Sequence, residues 1–234
     1  VNAGDIKVKG GIWKVWLKYR EVKKLLNQIK PDIFHAHYAT SYGITGALCN
    51  YHPYIISGWG SDVLIAPFQS QIIKWLLKYA YSKAEWITVV ADHMQNALKQ
   101  LNIPMEKVST VTHGVNPDIF NSNNRHVSKD TFSIISTRSF EPVYNIHHVI
   151  EAFSIAQKNC PNLFLHLVGS GSLKEDVVKL ISKKGLTNSV KLHGKITQPE
   201  IAELLNQSQL FITMASSDGD VVSLAEAIAC DCFC

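Results

Sequence analysis

The feature that most constrains this chain is a repeated alternation of a short apolar run, a polar or glycine-bearing turn, and a longer amphipathic stretch. Residues 33–37, 54–57, 86–90 and 108–112 are apolar runs of strand length. Residues 12–29, 40–51, 70–83 and 92–101 carry apolar side chains at three- and four-residue spacing, which predicts helices. Strands alternating with helices imply βαβ units and a mostly parallel sheet, the α/β class. Residues 121–130 break the rhythm with Asn, Ser, Arg, His and Lys and almost no apolar content, as a linker or exposed crossing would. The alternation then restarts, with strands expected at 132–137, 164–169, 190–193 and 210–214. Helices are expected at 146–159, 173–184, 198–206 and 221–229. Two domains follow, 1–122 and 132–234, joined by 123–131. Ligands of such folds sit beyond the carboxyl ends of the strands, so the cleft between two such units is the expected site.

Composition narrows the class further. Hydrophobic residues at 46% and charged residues at 18% describe a chain that buries a core, not a disordered or collagenous one. No apolar run approaches the roughly 18–20 residues of a membrane-spanning helix. A formal charge of +4 suits an anionic partner, a nucleotide diphosphate or an acidic membrane surface, and singles out neither. The chain opens at Val1 and closes on an expected strand, so both ends read as cut. Five cysteines without a disulfide-scaffold spacing favour a reducing compartment. Cys230, Cys232 and Cys234 would share one face of a strand, but without further ligands they are expected as small residues entering a core, with no metal bound. The stretch 12–29 mixes Trp13, Trp16, Leu17 and Tyr19 with Lys14, Lys18, Arg20, Lys23 and Lys24. Such a helix can lie on an anionic membrane or pack its apolar stripe on a sheet, and peripheral membrane association stays open beside the plainer packing.

Two segments carry candidate chemistry. Leu167-Val168-Gly169-Ser170-Gly171 is a strand ending in a Gly-x-Gly turn, where a backbone can approach a phosphate closely. It follows the second strand of its unit and lacks a third glycine, so a plain tight turn fits as well. The second segment, 216–230, runs from an expected strand through Asp218, Gly219 and Asp220 into a helix. The free amides of a helix start suit a diphosphate, and Glu226, expected about two turns in, is able to accept both hydroxyls of a ribose. Alternatively Asp218 caps the helix and Glu226 is a solvated acid. Against the latter, Leu224, Ala225, Ala227, Ile228 and Ala229 are apolar or small, and an unpaired carboxylate among buried neighbours is costly. His35 and His37 share one face of a strand and are read as polar strand-end residues rather than metal ligands.

Taken in order, the chain resembles glycosyltransferase family 4, retaining enzymes of the GT-B fold. The signature of that family is Glu, seven residues, Glu; Asp218 and Glu226 stand at that spacing, with Asp in the first place. Further matches are Pro31 to His37, Trp59 to Leu64, His113-Gly114-Val115-Asn116 with Phe120, Arg138 with Glu141-Pro142 and Tyr144-Asn145, Val168 to Gly171, and His193-Gly194. The resemblance implies two Rossmann-like α/β domains facing a central cleft, both incomplete here. It implies a sugar-nucleotide co-substrate, a UDP-, GDP- or ADP-sugar, with no bound cofactor or metal. The acceptor would be a glycan or a lipid-linked carbohydrate, with no nucleic acid partner, in polysaccharide or glycoconjugate synthesis in the cytoplasm, with the inner face of the cytoplasmic membrane as an alternative place. By the same resemblance Arg138 neutralises the diphosphate and Asp218 holds the transferred sugar. Glu226 binds the ribose, and Gly219, Asp220, Val221, Val222, Gly169 and Gly171 line the donor. Where relatives carry a Lys a few residues after the Arg, this chain has Pro142-Val143-Tyr144-Asn145, and where many carry His-Gly-x-Asp it has Trp59-Gly60-Ser61-Asp62, which leaves Asp62 as an acceptor-side candidate. A non-catalytic nucleotide-sugar-binding relative, or another GT-B enzyme such as an epimerase or phosphorylase, remains the alternative.

Overall fold

The computed structural model describes residues 18–234, so the part of the expected helix 12–29 that holds Trp13 and Trp16 lies outside the described residues. The chain divides into two compact units: Val1–His113 with Asp218–Asp220, and Gly114–Ser217 with Val221–Cys234.

Among the described residues the first unit begins with helix α1 (Tyr19–Ile29) and holds a parallel sheet in the order β1 (Phe34–His37), β2 (Tyr54–Gly58), β3 (Trp86–Val89) and β4 (Val108–Thr110). Its core is Ala36, Ile56, Ile87 and Val89 from the strands, packed with Leu77, Ala80, Tyr81, Met94 and Leu98 from α5 (Gln71–Lys83) and α6 (Asp92–Gln100). The strands read as apolar runs because helices cover both faces of such a sheet. Helix α5 starts where Ser70 accepts the Ile73 amide at 3.4 Å, an N-cap. The single helix expected over 40–51 is instead a π-helical turn, Ala39–Gly43, followed by α2 (Ile44–Cys49). The cause lies just before it: Tyr38 holds φ 79°, which disfavours a regular helix entry. Two one-turn helices, α3 (Ser61–Leu64) and α4 (Ala66–Gln69), precede α5.

The second unit holds β5 (Phe132–Ser136), β6 (Leu163–Val168), β7 (Val190–Gly194) and β8 (Leu210–Phe211), all parallel, in the order β7-β6-β5-β8. Ile134, Leu165 and Leu167 face α7 (Ile146–Asn159) and α8 (Lys174–Lys183), which bring Val149, Ile150, Phe153 and Val177. Ile135, Val168 and Phe211 form a second cluster with Ala202 and Leu205 of α9 (Gln198–Gln207) and Ala227 of α10 (Val222–Ala229). Alternate strand residues thus feed two separate layers.

The polar stretch expected as a linker lies within this second unit. Arg125 donates to the carbonyls of Cys230 (3.0 Å) and Leu205 (3.4 Å), and the His126 amide donates to Asn206 (3.1 Å). The stretch is largely exposed, and the Arg125 side chain and the His126 amide tie it to helix carbonyls of this unit. The final strand expected at the cysteines is also replaced: Cys230 caps α10, Cys232 is buried, Cys234 is exposed, and Phe233 makes an isolated bridge to Leu210.

Candidate functional site

In the second unit the sequence order runs outward from β5 through β6 to β7, then returns to place β8 on the other side of β5. The crevice of an α/β sheet opens at such a reversal, beyond the carboxyl ends of the two strands. Here those ends feed the segments 137–145 and 212–221.

Arg138 stands two residues past β5, 9% exposed, and its Nη1 donates to Ser223 Oγ at 2.9 Å. Its guanidinium carbon lies 4.3 Å from the centre of the Tyr144 ring, a cation–π contact. Ser223 belongs to the first turn of α10, so the cation is held against the N-terminal end of that helix. Both contribute positive potential to one small region. Tyr144 is fixed in turn: Asn145 Nδ2 donates to the Met214 carbonyl (3.0 Å), and the Ser216 amide and hydroxyl donate to the Val143 carbonyl (2.9 and 3.1 Å). This stapling explains why β8 stops at Phe211 instead of running to 214. After one more sheet bond, from the Ile212 amide to Ile135, the chain turns to the 142–145 segment.

Glu226 is half-buried on α10, and burial pushes its carboxyl above the ordinary range. The helix begins at Val222, so Glu226 sits about one turn in, not two. Val221 precedes the helix and offers no side-chain cap. Gly169 and Gly171 also belong here, for a reason different from the expected one. A side chain on Gly169, which holds φ 142°, would strike the Arg138 carbonyl, and one on Gly171 the Phe140 carbonyl. The room these glycines free is filled by the protein's own backbone. Glu141 then locks the two loops together, accepting from the Ser172 amide (2.9 Å) and hydroxyl (2.6 Å).

The first unit carries Asp62 and, by the division into compact units, Asp218, Gly219 and Asp220. Asp220 accepts the His113 amide at 2.9 Å. Asp62 is fully buried; its oxygens accept from the amides of Ala39 (2.6 Å), Gly60 (2.8 Å) and Trp59 (3.0 Å). The carboxylate expected to face an acceptor is directed onto the backbone, where it sets the Trp59-Gly60 turn. His35 and His37 do share a face, ring centres 4.1 Å apart, and His35 Nε2 meets Ser57 Oγ at 2.7 Å. Burial, and then His37, lowers the His35 pKa. Among the described residues no group of three His, Cys, Asp or Glu is placed to hold a metal ion.

Sequence reasoning singled out Arg138 and Glu226 but missed Ser223, whose hydroxyl accepts from Arg138. Its one signal is a hydroxyl in the first turn of the helix that carries Glu226. It also missed a histidine pair on β6 and β7, His166 Nδ1 to His193 Nε2 at 2.9 Å, whose signal is only a shared strand face.

With this geometry in place, comparison with known proteins gives the class. Residues 118–234, half of the chain, match the family model described as glycosyl transferases group 1, and residues 4–91 match that of glycosyl transferase 4-like. The chain belongs to the group 1 glycosyltransferase family. An uncharacterised glycosyltransferase of Methanocaldococcus jannaschii is 24% identical over 232 residues, 98% of this chain and 62% of its own length. Among solved structures, sucrose-phosphate synthase of Thermosynechococcus elongatus superposes with a TM-score of 0.80 at 14% identity, over 94% of this chain and 59% of that one. Anabaena HepE in complex with UDP-glucose gives 0.75 at 17% identity, over 92% and 61%. The chain thus spans about three fifths of the length of each. At such identities the structures establish the fold, GT-B.

Proposed function

We propose that the second unit carries the sugar-nucleotide site of a retaining glycosyltransferase that moves a sugar from a nucleoside diphosphate to a glycan or lipid-linked acceptor. The observation that carries this reading is the placement of Arg138 against the first turn of α10 at the sheet's switch point. Charge grows on the diphosphate as the sugar–phosphate bond breaks, and a guanidinium and a helix start already held in position stabilise it without reorganisation. Glu226 would accept the ribose hydroxyls, the amides near Gly219, Asp220, Val221 and Val222 would meet the phosphates, and Asp218 would hold the transferred sugar. Gly169 and Gly171 act through the loop they position, and Asp62 through the Trp59-Gly60 turn. HepE was solved with UDP-glucose, which makes a uridine nucleotide the first donor to try. The site works from the cytoplasm, where such donors are made. The test is to follow the protein by NMR with UDP-, GDP- and ADP-sugars and a mixed pool of glycan acceptors. Release of the nucleotide with a product of unchanged anomeric configuration supports the reading, and an inverted product removes the retaining mechanism. Epimerised donor in place of transfer would favour the epimerase alternative.

A further inference from the structure

The second unit carries a groove that the donor reading does not use. It runs between one face of α9 and residues 118–126, and its volume is about 470 Å³. Pro199, Ala202, Glu203 and Asn206 recur at three- and four-residue spacing along α9 and form one wall. The two walls are fastened to each other. Asn206 Nδ2 donates across the groove to the Asn121 carbonyl (3.0 Å) and along the helix to the Ala202 carbonyl (3.1 Å), and the His126 amide donates to the Asn206 carbonyl (3.1 Å).

The groove is rich in hydrogen-bond acceptors. Asn206 is 4% exposed with both amide hydrogens engaged, and its Oδ1 has no partner. A buried oxygen left unpaired is costly unless a ligand supplies the donor. His126 Nδ1 donates to the Asn124 carbonyl at 2.6 Å, so Nε2 of the neutral ring is left as an acceptor. Asp118 and Glu203 add two carboxylates, and among the described residues no lysine or arginine lines the groove. Ile119 and Pro199 supply an apolar stretch beside them.

We propose that this groove binds a neutral saccharide, holding a stretch of glycan away from the site of transfer. Acceptor-rich walls call for a ligand rich in hydroxyl donors, and neighbouring hydroxyls of a pyranose can both donate to one carboxylate. The apolar stretch suits the C–H face of the ring. A phosphate-bearing ligand would meet two carboxylates and no cation. A metal ion would fill only a small part of the volume, and among the described residues no group of three His, Cys, Asp or Glu is placed to hold one. An organic cation would answer the carboxylates but not Ile119 and Pro199. A glycan tethered here stays at high local concentration between transfers. Binding is measured without nucleotide sugar, so its outcome is independent of the donor reading.

The experiment is calorimetric titration of the purified protein with maltotriose, cellotriose and chitotriose, each alone and with excess UDP, and with spermidine as the cationic probe. At least one trisaccharide should bind, and excess UDP should not displace it. Asp118→Ala with Glu203→Ala, both exposed side chains, should weaken that trisaccharide about tenfold or more, with circular dichroism and UDP titration unchanged. His126→Ala should weaken it about threefold or more. The proposal is overturned if none of the trisaccharides binds, or if the variants bind them as well as the unmodified protein does, which would move the contact to another surface. Displacement by UDP would equally overturn it, by returning the saccharide to the donor site. Binding of spermidine alone, lost in the double variant, would assign the groove to a cationic amine.

Discussion

Arg138 is almost fully enclosed, and among its contacts are a hydroxyl 85 residues away and the ring of Tyr144. Removing it by Arg138→Ala should lower kcat/KM for the nucleotide sugar on the order of a hundredfold, since it withdraws a held charge from the leaving group. Arg138→Lys should recover little, because an ammonium cannot fork to phosphate or stack on the ring in the same way. Steady-state kinetics on the two variants checks both expectations. Gly171→Ala places a methyl group against the Phe140 carbonyl and should cost about 1–3 kcal/mol in urea unfolding, lowering donor affinity through the Arg138 loop. At this scale the charged residues were legible in the sequence, since an Arg after a strand and a Glu on an apolar helix stand out from their neighbours. Ser223 and the Glu141–Ser172 lock were not, because a hydroxyl gains meaning only once distant segments meet. Asp62 entered only as an acceptor-side candidate through the family resemblance, and its burial on three amides was hidden, because one-turn helices such as α3 leave no periodicity to read.

The elements followed the apolar periodicity closely where they were long. Helices α5, α7 and α8 begin and end within a residue or two of expectation. Departures came where a side chain or a strained residue redirected the chain: Tyr38 ahead of α2, and the bonds from Asn145 and Ser216 that end β8 early. The histidine pair across β6 and β7 supplies a prediction at this scale. Burial, with His193 and Lys191 adding to it, lowers the His166 pKa from 6.5 to about 4. The unfolded chain then binds more protons than the folded one between those values, so stability rises with pH through that window and is lost as pH falls from about 6.5 toward about 4. Urea unfolding across that range should show the slope, and His166→Gln should flatten it by roughly 1–2 kcal/mol once solvent screening of the half-exposed sheet face is counted.

For the molecule as a whole, the alternation of runs and helices was enough to foresee two parallel α/β units, and the order of motifs was enough to foresee the family. The division of the chain was less legible. Polarity at 121–130 suggested a linker or an exposed crossing; the stretch is largely exposed, and what the sequence did not show is that Arg125 and the His126 amide fasten it to helix carbonyls of the second unit. The account rests on one claim, that the switch point of the second unit binds a nucleoside diphosphate through Arg138 and Glu226. Calorimetric titration of UDP, GDP and ADP into the protein, and into its Arg138→Ala and Glu226→Ala variants, tests it most directly. The account predicts that at least one nucleotide binds and that each variant weakens it tenfold or more, about 1.4 kcal/mol. Absence of binding by all three, or undiminished binding by Arg138→Ala, would contradict it.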